Sequence, residues 1–226
     1  MNEKISVIIP AAGMGRRMKS YGPKPLIKIG NSTIINNQIL SIRSFIPNSE
    51  IILVCGFKAD RLMNETPRNI IKIENELYET TNVVRSIGMG LRAAKDTGTI
   101  LIVYGDLVFN RAAIEKLNLE SSSLMLDGGS MSEEEVGCIV NKEGYLESIM
   151  YDLPDKWAQI GVFRSKELKI LQKLCWDKKN YKKFGFEIIN SIIEKGGSFK
   201  CVQGDDIRVV DIDSSKDIKR AVEILK

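Results

Sequence analysis

The sequence predicts an α/β protein: a three-layer sandwich around a mixed, mainly parallel central sheet, with residues 1–226 forming one domain. Short runs rich in Ile and Val recur along the chain, each apolar on both faces, which is how strands covered on two sides read. Helical spacings of apolar residues fall between those runs, and strand followed by helix, repeated, builds an open sheet. In the second half, turn residues separate closely spaced strand-like pieces, so antiparallel strands should join the sheet there.

The first run, residues 5–9, enters Pro10 and a glycine-rich turn. Ile35, Ile39, Ile42 and Ile46 then step by four, three and four residues along one face of a helix. Residues 51–55 and 70–73 are strands too short for helices, residues 82–95 a helix, and residues 99–104 the next strand. After Asp106 come a helix over 111–117 and strand-like pieces at 123–126, 136–140 and 145–150, with 141–144 as a hairpin turn. A strand at 158–163, helices over 166–175 and 186–194 and a strand at 199–202 follow. The last helix places Ile218, Ala221, Val222 and Leu225 on one face, with Ser214 or Ser215 as its N-cap. No repeat, low-complexity tract or linker marks a domain boundary.

Composition removes several mechanisms. The 226 residues include 33 Lys plus Arg, 29 Asp plus Glu and no histidine, for a net charge of +4. Without imidazole there is no Ser-His-Asp or Cys-His nucleophile and no His-bound zinc, so acid–base work falls to carboxylates, Lys, Tyr or Cys. The mild positive charge suits anionic small molecules better than nucleic acid. Cys55, Cys138, Cys175 and Cys201 are scattered with no Cys-x-x-Cys pair, which predicts reduced thiols and a cytoplasmic protein. No signal-peptide pattern opens the chain, and no stretch approaches the roughly 20 apolar residues that span a bilayer, so no stable membrane insertion is expected. Self-association is left open.

The richest segment is Pro10-Ala11-Ala12-Gly13-Met14-Gly15-Arg16-Arg17-Met18, followed by Gly22-Pro23-Lys24-Pro25-Leu26. Glycines after a strand either relieve a tight turn or leave backbone N–H groups free to wrap phosphate oxygens. Arg16 and Lys24 would add full positive charge to such a pocket. The spacing fits neither a Walker A loop nor the dinucleotide fingerprint, because Met18 holds the third glycine position of the latter.

This segment, with its Pro-Lys-Pro-Leu block, resembles the signature of nucleotidyltransferases with a GT-A-like, Rossmann-like fold, the MobA-like and sugar-phosphate nucleotidylyltransferases. Among these the chain looks most similar to the small CTP-dependent cytidylyltransferases of the phosphocholine type. The resemblance implies that Ala11, Ala12, Gly13 and Gly15 hold the triphosphate, and that Arg16 and Lys24 stabilise its phosphates during attack. Many sugar-phosphate members carry Pro-Leu-Thr between the glycines and the lysine, whereas Met18-Lys19-Ser20-Tyr21 stands here, a departure from the sugar-specific pattern.

Asp106 sits at the carboxyl end of a strand, where it reads either as a turn aspartate or as a site residue of an open sheet. Its Tyr-Gly-Asp-Leu context resembles the family's Mg²⁺-binding Gly-Asp. The block from Val209 to Ile218 is similar to the family's terminal strand-to-helix block, so the resemblance makes Asp213 a second metal ligand and Asp211, two residues earlier on the same strand face, a co-ligand. Magnesium needs only one or two carboxylates beside substrate phosphates and water. The clusters Glu133-Glu134-Glu135 and Asp205-Asp206 read as solvated loops without a role.

Thr81, Asn82 and Ser86 precede or open a helix; Asn82 is a helix cap by its position, and the resemblance places all three near the nucleotide base. Tyr151, Trp157 and Gln159 in or beside a loop, and Glu187 at a helix start, are either packing residues or an aromatic and acidic pocket for the cationic head group of an acceptor. The implied reaction is attack by a phosphate or phosphonate oxygen on the α-phosphorus of CTP with release of pyrophosphate, giving an activated head group for surface polysaccharide or lipid. The acceptors in view are phosphocholine, aminophosphonates, amino-acid phosphates and polyol phosphates. A sugar-phosphate uridylyl- or thymidylyltransferase is the second reading, and a non-catalytic nucleotide-binding domain a third of another class.

Overall fold

The computed structural model describes residues 4–15, 22–94, 98–129 and 135–225. The apolar run at the start forms β1 (Ile5–Ala11), which leads into the glycine-rich turn. A small hairpin of β2 (Lys28–Ile29) and β3 (Ser32–Thr33) precedes α1 (Ile34–Phe45), whose first turn is capped when Thr33 Oγ1 accepts from the Asn36 N–H. Then come β4 (Glu50–Cys55), α2 (Ala59–Asn64), β5 (Ile71–Glu74), α3 (Val83–Ala93) and β6 (Thr99–Val103). Two further strands, β7 (Leu107–Phe109) and β13 (Val209–Asp211), and the short α2 carry too few periodic residues to stand out in the sequence.

The second half runs through β7, α4 (Arg111–Glu115), β8 (Ser123–Leu126), β9 (Val136–Val140) and β10 (Leu146–Tyr151) to the long β11 (Asp155–Arg164). It ends with α5 (Ser165–Trp176), α6 (Gly185–Glu194), β12 (Lys200–Val202), β13 (Val209–Asp211) and α7 (Ser215–Ile224). The expected turn at 141–144 is present, with Gly144 at φ +79 and its N–H bonded to Asn141 O.

Among the described residues nine strands make one sheet, in the order β10-β9-β11-β6-β1-β4-β5, with β8 branching from β11 and β12 from β8. The portion β6-β1-β4-β5 is wholly parallel, and β11 joins it antiparallel to β6, so the sheet is mixed as expected. Alternate residues of each parallel strand feed opposite cores. Val7, Ile9, Leu53 and Leu101 face α1 through Ile35, Ile39 and Ile42, whereas Ile8, Ile52 and Ile100 face α3 through Val84, Ile87 and Leu91. Each such side chain contributes about 1.5–3 kcal/mol when fully buried, and the two apolar layers make the predicted sandwich.

A third cluster joins Val108, Val210 and Ile212 to Ala221 on α7 and Ile29 beside β3. Val222 and Ile224 pack against this cluster, whereas Leu225, expected on the buried face of α7, lies just past the helix end and is 41% exposed. No helix of the described residues is long and apolar enough to cross a membrane.

Candidate active site

The parallel strands all end at one edge, where an open sheet leaves a crevice beyond its carboxyl termini. A cleft of about 680 Å³ opens there, lined from one end by Ala11, Ala12, Gly13, Gly15 and Lys24 and from the other by Tyr151, Trp157, Phe184 and Phe186. Pro10 O accepts from Gly105 and Ala12 O from Phe57, which clamps the last residues of β1 between its neighbours. No backbone hydrogen bond among the described residues engages the amides of Gly13 or Gly15. Gly15 has φ +53, and a Cβ there would meet Lys24 Cγ at 3.0 Å, so glycine fits the turn for both conformation and close approach. Arg16, expected at the same pocket, lies outside the described residues.

Lys24 is presented by a short 3-10 turn, Lys24–Leu26, held between Pro23 and Pro25. Its ammonium is nearly enclosed and sits among three carboxylates, 2.6 Å from Asp213 Oδ1, 3.1 Å from Asp106 Oδ2 and 3.9 Å from Asp211 Oδ1. Burial pulls the Lys24 pKa down, and Asp106, Asp211 and Asp213 together overcome it and hold the group above its ordinary range.

Residues far apart in sequence build this cluster through few contacts. Buried Gln38 on α1 donates from Nε2 to Tyr104 O (2.9 Å) and Leu107 O (2.7 Å), pinning the turn that carries Asp106. β13 pairs with β7, setting Asp211 opposite Leu107, and the Ile212 N–H donates to Asp106 O. Asp217 Oδ2 accepts from the N–H groups of Asp213 and Ser214, which fixes Asp213 at the entry to α7. Ser214, one of the two expected caps, is the N-cap.

Asp211 is the least solvated of the three. Burial, then the Asp106 carboxylate, pushes it up to about 8 against the pull of Lys24. Its Oδ2 accepts from Gln159 Nε2 at 3.1 Å, while its buried Oδ1 accepts no hydrogen bond. Gln159 reaches it because β11 slips register against β8 between Trp157 and Gly161 and places Gln159 at φ +57, in the left-handed region. Gln159, expected at the acceptor, therefore lies against the carboxylates, on the strand expected over 158–163, which begins earlier and carries Trp157 as well.

The nucleotide-side residues divide. Thr81 and Ser86 line the cleft and share a partner that sequence reading passed over, the buried Asn75. Asn82 also lines it, but its Oδ1 accepts from Val83 N–H at 2.8 Å and caps α3.

At the far end Tyr151 meets Phe186 edge-on at 5.2 Å, and Phe186 stacks on Phe184 at 5.8 Å. Behind them Trp157 packs edge-on against Tyr104 at 5.8 Å, and the Tyr104 hydroxyl lies so close to Gly185 that a Cβ there would sit 1.9 Å from it. Glu187 does not line the cleft: its Oε2 accepts from Phe184 N–H at 2.7 Å and caps α6. The acid at this end is Glu135, set aside in the sequence as part of a solvated run. It pairs at 2.7 Å with Lys156, a lysine only 6% exposed that also lies 3.4 Å from Asp127. Glu133 and Glu134 lie outside the described residues.

Residues 7–143 match the MobA-like NTP transferase domain. The chain is 26% identical over 226 residues to the bifunctional protein GlmU of Wolbachia sp. subsp. Brugia malayi (strain TRS), covering 95% of this chain and 55% of that protein. It thus spans about half the length of the curated relatives it matches. In three dimensions it is similar to the CTP:phosphocholine cytidylyltransferase LicC of Streptococcus pneumoniae, with TM-score 0.75, 17% identity and coverage of 99% and 100% of the two chains. It is equally similar to a protein of Bacillus anthracis provisionally assigned as a glucose-1-phosphate thymidylyltransferase, with TM-score 0.78, 12% identity and coverage of 97% and 94%. At these identities the likeness concerns the fold, a Rossmann-like α/β sandwich. With the family match spanning both the glycine-rich turn and the Asp106 strand end, the chain belongs to the MobA-like NTP transferase domain family.

Proposed function

We propose that the chain is a metal-dependent cytidylyltransferase, one catalytic domain over residues 1–226, joining CMP from CTP to a small phosphorylated or phosphonate acceptor that carries a cationic group. The observation that carries this reading is the convergence of Lys24 with Asp106, Asp211 and Asp213 beside the glycine-rich turn, in one cleft with an aromatic far end. An acceptor oxygen attacks the α-phosphorus in line, and the bond to the bridging oxygen breaks, so that its electron pair leaves with pyrophosphate. The attacking oxygen is already anionic at neutral pH, and a chain without histidine needs no strong general base.

The residues fit a hard divalent cation such as Mg²⁺. Lys24 already holds a positive charge where the carboxylates meet, and Asp211 keeps a buried oxygen with no hydrogen bond. When bound, the ion would offset charge on the triphosphate and on the departing pyrophosphate. Asp106 and Asp213 would hold it, with Asp211 steadied by Gln159 as a third oxygen source. Lys24 would turn to the phosphates, Gly13 and Gly15 would present their amides to the same oxygens, and Arg16 would assist from the neighbouring segment.

For the acceptor, the rings of Tyr151, Phe184, Phe186 and Trp157 with Glu135 suit a quaternary or primary ammonium, and the Lys156 ammonium suits its phosphate. Phosphocholine and aminophosphonates have this chemistry, and the product would be an activated head group for surface polysaccharide or lipid. The four cysteines are free thiols, in keeping with a cytoplasmic place of action.

Sequence likeness to GlmU and fold likeness to the B. anthracis protein favour, as a second reading, transfer of UMP or dTMP to a sugar phosphate. Pyrophosphate release measured with Mg²⁺, each nucleoside triphosphate and a panel of phosphorylated acceptors decides. Fastest release with CTP and an ammonium-bearing acceptor is expected. Turnover confined to UTP or dTTP with a sugar 1-phosphate selects the second reading, and tight CTP binding without release across the panel makes the chain a binding module.

A further inference from the structure

α5 presents two unlike faces. Leu168, Leu171 and Cys175 are buried in the core, whereas Lys166, Lys169, Lys173 and Trp176 follow one another at spacings of three, four and three and are all exposed. Those spacings keep the four on one stripe of a helix about 18 Å long. Exposed Lys178 and Lys179 come next on the 3-10 turn 178–180, then exposed Lys182, and the run ends at Phe184 on the wall of the cleft. From α3, Arg92 sets its guanidinium 5.9 Å from the centre of the Trp176 ring.

Residues 166–183 hold seven lysines against Glu167 and Asp177, a net charge of +5 where the whole chain has +4. The rest of the molecule is therefore slightly acidic. Neither acid of the stretch neutralises its lysines: Glu167 accepts from Ser122 Oγ and from the Ser198 N–H, both at 3.0 Å, and Asp177 accepts from the Lys179 N–H at 3.0 Å. Among the described residues no lysine of this stretch forms an ion pair, although exposed cations elsewhere do, Arg61 with Glu65, Arg111 with Glu115 and Lys116 with Asp206. Like charges gathered without counter-ions repel one another, so negative charge brought from outside stabilises this surface.

We propose that the stripe docks the protein on a bilayer surface rich in anionic phospholipid, lying on it without inserting. Lysine is a point charge on a flexible stem and suits a diffuse sheet of mobile head groups, whereas arginine serves bidentate reading of fixed phosphates. Residues 166–183 contain no arginine. Trp176, 41% exposed in the middle of the run, is the kind of side chain that rests at head-group level. Docking of this kind would bring the aromatic end of the cleft beside the bilayer, and it does not depend on the reaction proposed above.

The test is flotation of the 226-residue chain with phosphatidylcholine vesicles, with and without phosphatidylglycerol, together with tryptophan fluorescence. Of the two tryptophans Trp157 is buried, so Trp176 reports contact with lipid. We expect binding to the anionic vesicles alone, a blue shift of the emission on binding, and release by salt. Each of Lys169→Gln, Lys173→Gln and Lys178→Gln should weaken the partition about fivefold, while Lys173→Arg should preserve it. Exposed lysines of the 141–144 turn and α7 supply the control: Lys142→Gln with Lys219→Gln should leave the partition nearly unchanged. Equal binding to neutral vesicles, no binding to anionic ones, a comparable loss in the control variant, or tighter binding to a DNA duplex than to anionic vesicles at equal phosphate concentration each overturns the proposal. The vesicle assay needs no turnover, so it decides whether or not pyrophosphate is released.

Discussion

The two ends of the cleft are built from different materials. At one end, backbone amides, small residues and a compact set of full charges around Lys24 crowd the carboxyl edge of parallel strands. At the other, aromatic rings from β10, β11 and α6 surround a single Glu135–Lys156 pair. Charges and amides at the first end suit any triphosphate, since every nucleotide carries the same phosphates. Shape and π-faces at the second suit one class of acceptor and exclude others. The difference teaches that, on the proposed reading, the reaction type and the choice of acceptor would reside in separate halves of the sheet, so that one could change without the other.

Substitutions can break that division or sharpen it. The largest effect is expected for Lys24→Met, a loss of about 10³-fold in kcat whatever the acceptor. Because the three carboxylates then lose the cation they share, its melting temperature should also fall and recover on adding Mg²⁺, as read by thermal scans alongside pyrophosphate release. Lys156→Met comes next. Leaving Glu135 and buried Asp127 without their cation should destabilise the fold by about 3 kcal/mol in denaturant titrations, and should raise KM for the acceptor while leaving KM for CTP alone. A Lys156 variant that weakens both substrates equally would erase the division between the ends.

Phe184→Ala should raise KM for an ammonium-bearing acceptor about tenfold, the worth of one cation–π contact, with steady-state kinetics for a neutral polyol phosphate unchanged. The smallest effect is on stability. Asp211→Asn removes a carboxyl group whose ionisation burial and the neighbouring Asp106 oppose, so the ligand-free protein should gain about 1 kcal/mol while turnover drops. Loss of stability in that variant would mean that the Lys24 attraction outweighs burial at this position.

The parallel half of the fold was legible because its signals are local. The continuous apolar runs of β1, β4 and β6 and the four-three-four spacing along α1 survive in any short window of sequence. The glycine-rich turn and Lys24 are legible for the same reason. Asp106, Asp211 and Asp213 were found as separate motifs, but that all three close on one ammonium depends on the pairing of β7 with β13, two three-residue strands too short to announce themselves. Long-range contacts hid the rest. Glu135 looked like the end of an acidic run until its partner was known to be a buried lysine 21 positions away. Asn75 carries no motif at all, and Glu187 satisfied the composition expected of an acceptor pocket while serving as a helix cap. Gln159 points to Asp211 only because its strand is bulged, and bulges leave little trace in periodicity.

The grip of three aspartates on one lysine also bears on what can enter. Among the described residues three carboxylates meet this one ammonium, so on the proposed reading a nucleotide arriving already chelated would bring a countercharge that a bare polyphosphate lacks. Entry would then turn the ammonium to a phosphate as the cation takes its place among the carboxylates, an exchange that inorganic phosphate or unchelated nucleotide could not offer. The same arrangement would thereby act as a filter on the charge state of what binds.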